Sequence, residues 1–179
     1  MELKTLIPKK NGYTYSDYAK LPENAPYQLI NGELIMSPAP IPYHQIISIN
    51  IQTMLWNFVK QNNLGKVLNA PIDVYLGEKE TYQPDIIFIS TERLHIIGET
   101  KIEGTPDVVI EILSPSTAYY DLKHKKNIYA KHGVKEYWIV DPSEKSVEVF
   151  QNKTGGLMLV NRAVGRGKIQ SHSISGFQI

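Results

Sequence analysis

The chain has 179 residues, 42% hydrophobic and 21% charged, with a formal net charge of +1, which suits one folded domain and excludes disordered and collagen-like classes. It contains no cysteine, so disulfide frameworks, thiol chemistry and Cys-type zinc sites are excluded, and near-neutral charge leaves any nucleic-acid signal local. Met1-Glu2-Leu3-Lys4 lacks the layout of a signal peptide and no apolar run reaches the roughly 18 residues of a membrane span, so a soluble, cytoplasmic protein is expected.

In chain order, Thr14 is placed to cap a short helix through Tyr18, and Tyr27 to Met36 reads as a hairpin turning at Asn31-Gly32. After the Pro-rich loop Ser37-Pro38-Ala39-Pro40-Ile41-Pro42, the segment His44 to Lys60 reads as a helix ended by Leu64-Gly65. Its apolar stripe is expected to be Ile47, Ile51, Met54, Leu55 and Phe58. Val67 to Leu76, Asp85 to Ser90 and Asp107 to Leu113 follow as three strands, with a turn at Gly77-Glu78 and a loop or short helix from Thr91 to Thr105. Ala118 to His132 reads as a helix closed by Gly133. Then come a strand over Glu136 to Val140, a turn at Asp141-Pro142-Ser143-Glu144, and a hairpin of Val147 to Phe150 with Leu157 to Val160 through Thr154-Gly155-Gly156. No repeat or linker interrupts the chain, so residues 1–179 are expected to form one domain.

Two carboxylates stand out against this pattern. Pro84-Asp85-Ile86-Ile87-Phe88-Ile89 and Asp107-Val108-Val109-Ile110-Glu111-Ile112-Leu113 are apolar on both parities, as in central strands covered on both faces. Burying an unpaired carboxylate there costs several kcal/mol, so Asp85 and Glu111 each call for a cation, a metal or a wet cleft. Neighbouring strands would bring the two acids to one end of a sheet, an oxygen-rich site for a hard cation such as Mg²⁺; the alternative is pairing with a lysine or exposure at strand ends. Asp107 shares the parity of Glu111 but lies about 13 Å from it along an extended strand, so it reads as a structural strand-entry residue.

The helix beyond the third strand holds Lys123, Lys125, Lys126 and Lys131. Leu122, Ile128 and Tyr129 define its inward stripe; Lys125 lies within it, Lys126 borders it, and Lys123 and Lys131 point away. A lysine beside two carboxylates can neutralise a phosphate or steady an attacking water. Tyrosines 13, 15, 18, 119 and 120 with Arg162, Arg166 and Lys168 are read as ordinary surface rather than a binding box, and no HEXXH, Walker-type loop, nucleophile elbow or dinucleotide fingerprint occurs.

Pro84-Asp85, then Glu111 in a following strand and a nearby lysine, resembles the PD-(D/E)xK nuclease superfamily. A closer set of motifs is similar to the Uma-two family of restriction-endonuclease-like proteins. It comprises Tyr27-Gln28-Leu29-Ile30-Asn31-Gly32-Glu33-Leu34, Met36-Ser37-Pro38-Ala39-Pro40, His44-Gln45, Pro106 to Ser116, and Glu136-Tyr137-Trp138-Ile139-Val140-Asp141-Pro142. The resemblance spans Tyr13 to Phe150. It implies an α/β restriction-endonuclease-like core, a mixed central sheet flanked by helices, with an N-terminal and a C-terminal β-hairpin. It implies Asp85 and Glu111 as ligands of Mg²⁺ or Mn²⁺, and a lysine taken from the next helix at Lys125, because Leu113 occupies the usual lysine position. Glu33 and His44 match further family positions that could reach the cleft, and Ser114 could touch substrate or be a turn residue.

The expected activity is metal-dependent endonuclease cleavage of nucleic acid, with DNA the expected partner, a homodimer the expected state and no membrane partner. Two other readings stay open on the residues: a nuclease fold kept as an inactive nucleic-acid-binding or scaffolding domain, and an interaction protein whose acids are paired internally by Lys125.

Overall fold

The computed structural model describes residues 12–23, 25–114 and 124–179. The chain opens with α1 (Tyr15–Tyr18), where the Asp17 carboxylate accepts the Thr14 N–H at 2.9 Å. β1 (Tyr27–Ile30) and β2 (Glu33–Met36) form an antiparallel hairpin. Asn31 and Gly32 between them have φ of 51° and 73°, the paired left-handed residues of a tight hairpin turn.

α2 (Pro42–Gln61) begins with proline, whose missing N–H costs nothing in a first turn. Its buried stripe is His44, Ser48, Ile51, Leu55 and Val59, whereas Met54 is 48% exposed. Ile47 and Phe58 are partly buried and pack on the same core as Ile51 and Leu55, so of the expected stripe only Met54 falls outside it, and Val59 is buried in addition. Apolar residues surround this helix, so hydrophobic periodicity alone leaves its phase open.

The expected strand over Val67 to Leu76 is two strands, β3 (Gly65–Asn69) and β4 (Val74–Gly77), in different sheets. Pro71 falls between them and cannot donate to a ladder, and the Ala70 N–H is turned to the Asp85 carbonyl at 3.0 Å. β5 (Glu80–Tyr82) is a short polar strand with no sequence signal. There follow β6 (Ile86–Ser90), a 3-10 helix (Thr91–Ile96), β7 (Ile102–Glu103) and β8 (Val108–Ile112). α3 (Lys126–His132), closed by Gly133 at φ 83°, leads to β9 (Glu136–Asp141), β10 (Ser146–Lys153) and β11 (Gly156–Val164). The part of the expected last helix over 118–123 lies outside the described residues, as do Lys123, Tyr119 and Tyr120.

The strands make two mixed sheets, ordered β2-β1-β5-β4-β7 and β11-β10-β9-β8-β6-β3, with β4–β7 and β8–β9 the parallel pairs. The N-terminal hairpin edges the five-stranded sheet, and the hairpin of β10 and β11 edges the six-stranded one. Alternation in the six-stranded sheet serves two cores. Ile86, Phe88, Ile110 and Ile112 pack with Leu55 and Val59 of α2 and with Ile174 and Phe177 of the C-terminal segment. Ile87, Ile89 and Val109 face the other way, against Val74, Leu76 and Tyr82 of the five-stranded sheet and Tyr129 of α3. β3 lies close on β6 because residue 65 is glycine: a Cβ there would collide with the Ile89 carbonyl oxygen. No helix among the described residues is long and apolar enough to cross a membrane.

Glu136, at the start of β9, is fully buried. Its carboxylate accepts Trp138 Nε1–H at 2.6 Å, Ser171 Oγ–H at 2.8 Å, and the His172 and Ser173 N–H groups at 2.7 and 2.8 Å. One acid thus pins residues 169–179 across the α2 side of the sheet. Glu136→Ala leaves these donors without an acceptor and is expected to cost about 3 kcal/mol. Amide exchange should then rise first at His172 and Ser173, and uniform exchange across the chain would count against the clamp.

Candidate active site

The register of β6 on β8 builds the site. Ile86 pairs with Ile110 and Ile87 with Val109 in antiparallel order, so one further step sets Asp85 opposite Glu111. Directly opposed residues of such strands have Cα atoms about 5 Å apart. Both acids therefore lie at the end of β6 and β8 that the flanking helices reach.

Glu111 is 3% exposed and shares the parity of Val109 and Leu113, which face the five-stranded sheet and α3. Its Oε1 accepts the Lys125 ammonium at 3.0 Å and the Tyr129 hydroxyl at 2.8 Å. Lys125 is itself 2% exposed and lies 5.8 Å from the centre of the Tyr82 ring. Lys125 and Tyr129 stand four residues apart on one helical face, which lets both reach one carboxylate. Burial first, and then the charge of Glu111, push the Tyr129 hydroxyl far above the usual phenol range, so it is a permanent donor here. A buried pair with this geometry offsets much of its desolvation cost; losing either partner leaves the other uncompensated.

Asp85 is more open, with its side chain 20% exposed. Its Oδ2 accepts the Ile112 N–H at 2.7 Å and lies 3.4 Å from His44 Nε2. The same ring nitrogen is 3.1 Å from the Ile112 carbonyl oxygen, so both neighbours are acceptors and Nε2 carries the hydrogen. His44 is buried in the first turn of α2, on the stripe of Ser48, Ile51 and Leu55. Its hydrogen bond to Asp85 is the largest influence on its basicity and, against burial, raises its pKa above the usual value.

Four of the five expected residues, Asp85, Glu111, Lys125 and His44, thus surround the ends of β6 and β8. Glu33 stands apart: it is exposed at the start of β2, on the sheet edge, and among the described residues no hydrogen bond or ion pair joins it to the other four. Ser114 is half-buried two residues beyond β8. Asp107 is buried away from this group and accepts Ser90 N–H at 2.7 Å, with Lys135 at 2.7 Å and Arg93 at 3.3 Å. Burial pushes its carboxyl up, but Lys135, the Ser90 N–H and Arg93 together hold it below the usual range. It ties β8 to the 3-10 helix and the entry of β9. Lys126 lies over the Phe150 ring at 3.5 Å, and burial lowers its pKa. Lys131 is exposed.

Tyr129 and Tyr82 were not singled out as site residues from the sequence. The spacing of Tyr129 from Lys125 was the available signal; Tyr82 had none, because β5 itself was unread. As a donor set, two opposed carboxylates of which one is partly open suit a hard cation that keeps most of its waters. No cluster of three or more metal-type side chains occurs among the described residues.

Residues 15–179 match the family described as "Uma2: Putative restriction endonuclease". An uncharacterised protein of Synechocystis sp. is 22% identical over 153 residues, covering 83% of this chain and 79% of its own. Among solved structures, the crystal structure of a putative nuclease belonging to DUF820 from Anabaena variabilis superposes with a TM-score of 0.69 at 25% identity, over 82% of this chain and 83% of that one.

The His44 contacts have a titration signature. Because its folded pKa lies above the usual 6.5, the stabilisation from charged His44 is complete below that value and is lost as pH rises through the folded pKa. An imidazole NMR titration should place His44 above 6.5, and Asp85→Asn should bring it down. A native His44 titrating at or below 6.5 would contradict the contact.

Proposed function

The chain belongs to the Uma2 family of putative restriction endonucleases, and on that premise we propose that it is a Mg²⁺- or Mn²⁺-dependent endonuclease hydrolysing phosphodiester bonds of cytoplasmic DNA. The observation that carries the reading is that Asp85 accepts the Ile112 N–H, next in the chain to Glu111, while Lys125 sits on Glu111. Asp85 and Glu111 are the residues that would hold the metal. When bound, it supplies positive charge against the phosphate and makes a water more acidic.

The protein's own groups do the rest. The Ile112 N–H and His44 hold Asp85 in one rotamer, and Tyr129 holds Glu111, so neither carboxylate must reorganise at the moment of reaction. Lys125 brings a cation beside Glu111, placed to offset charge that grows on the phosphate oxygens as water attacks phosphorus in line with the departing oxygen. His44 Nε2–H, beside Asp85, is a proton source within the group. Glu33, exposed on a separate sheet edge, is left out of the reacting group.

The 3.0 Å Lys125–Glu111 pair also favours a second reading, in which the acids are neutralised internally and the fold binds without cutting. Plasmid nicking separates the two. Asp85→Asn is expected to lower the Mg²⁺-dependent nicking rate at least about 100-fold, roughly 2.7 kcal/mol of barrier. Lys125→Met should act in the same direction, and a chelator should stop the reaction. Equal nicking by the native and Asp85→Asn proteins would mean a contaminant. Absence of nicking together with no Mg²⁺-induced rise in melting temperature would favour the paired, non-catalytic reading.

A further inference from the structure

The face of α2 turned away from the core is apolar and uncovered. Tyr43, Ile46, Ile49 and Trp56 are 53%, 54%, 56% and 44% exposed, and Ile41 and Met54 flank them at 62% and 48%. They recur at helical spacing opposite the buried stripe of Ser48, Ile51, Leu55 and Val59, on a face they share with the exposed, uncharged Asn50, Thr53 and Asn57. Together the six residues expose on the order of 600 Å², at the top of the ~300–600 Å² of the largest patch on a monomer and about three quarters of the ~800 Å² each partner gives a standard interface.

The chemistry of this face narrows its occupant. Positions 42–59 contain no Asp, Glu, Lys or Arg, and the first charge is Lys60, whose ammonium lies 4.5 Å from the centre of the Trp56 ring. A nucleic-acid backbone needs a row of cations, and a helix lying on a membrane surface needs a basic polar face; neither is present. An uncharged stripe can face itself without repulsion, which is the requirement of a two-fold interface. In antiparallel self-packing centred between Ile49 and Asn50, Tyr43 meets Trp56 of the other copy and Ile46 meets Thr53, a large residue against a small one. We propose that α2 is a homodimerisation helix, packed antiparallel against α2 of a second copy of this chain.

Because these 179 residues contain no cysteine, a single introduced thiol is a clean reporter. Sedimentation equilibrium of the 179-residue protein should give a dimer, and Ile49→Glu should weaken dimerisation at least 100-fold with an unchanged circular dichroism spectrum. Under mild oxidation Ile49→Cys should form an inter-chain disulfide, whereas Gln61→Cys, at the end of the helix, should not. A native protein that stays monomeric at tens of micromolar overturns the proposal. So does a dimer that Ile49→Glu leaves intact, or one in which the Gln61 position cross-links in preference to Ile49. None of these readouts involves cleavage, so the nuclease reading can fail while this one stands, and the reverse.

Discussion

The pairing of β6 with β8 is the constraint on which the other features of this protein rest. Both strands are covered on both faces, with Ile86 and Phe88 in one core and Ile87 and Ile89 in the other. A slip of one residue would invert every side chain of the slipped strand, moving Glu111 from the side of Lys125 and Tyr129 to the side of α2. The apolar residues are thus what hold the two acids face to face. Conversely, a slipped pairing would take Glu111 away from Lys125 and Tyr129 and set it on the side of Leu55 and Val59.

Charge is handled unequally around these strands. Glu111 is buried and answered by Lys125 and Tyr129, Asp85 is partly open and answered by a backbone N–H and His44, and Asp107 is buried within a separate structural triad. Glu136, by contrast, has four neutral donors and fastens the C-terminal segment. Acids in adjacent strands therefore do different work. Two of the four converge where α2 and α3 both arrive; the others brace the strands that hold them.

Much of this was legible in the sequence. Asp85 and Glu111 broke strands that were otherwise apolar on both parities, and helical phase alone turned Lys125 inward. The family resemblance, confirmed over residues 15–179, added His44 to the same neighbourhood. What could not be read has physical reasons. Apolar residues encircle α2, so Met54 and Val59 exchange places between expectation and structure without changing the composition. Val67 to Leu76 reads as one apolar run, and no local signal tells that its two halves, on either side of Pro71, join different sheets. Glu136 was one polar residue at a strand start, and nothing local tells a solvated glutamate from one buried under a distant segment.

The parallel pairing of β8 with β9 has a consequence for how the molecule comes into being. Parallel neighbours cannot be joined by a tight turn, so the chain must leave the end of β8, run through α3, and return before β9 can be laid beside it. Lys125 is carried on that excursion. Glu111 and Asp85 can be brought together by β6 and β8 alone, but their cation is delivered by a non-local closure, the slow kind of contact in folding. A nascent chain that has paired β6 with β8 and not yet docked α3 has Glu111 facing a half-built core, and its buried charge is answered only when the crossover brings in Lys125 and Tyr129.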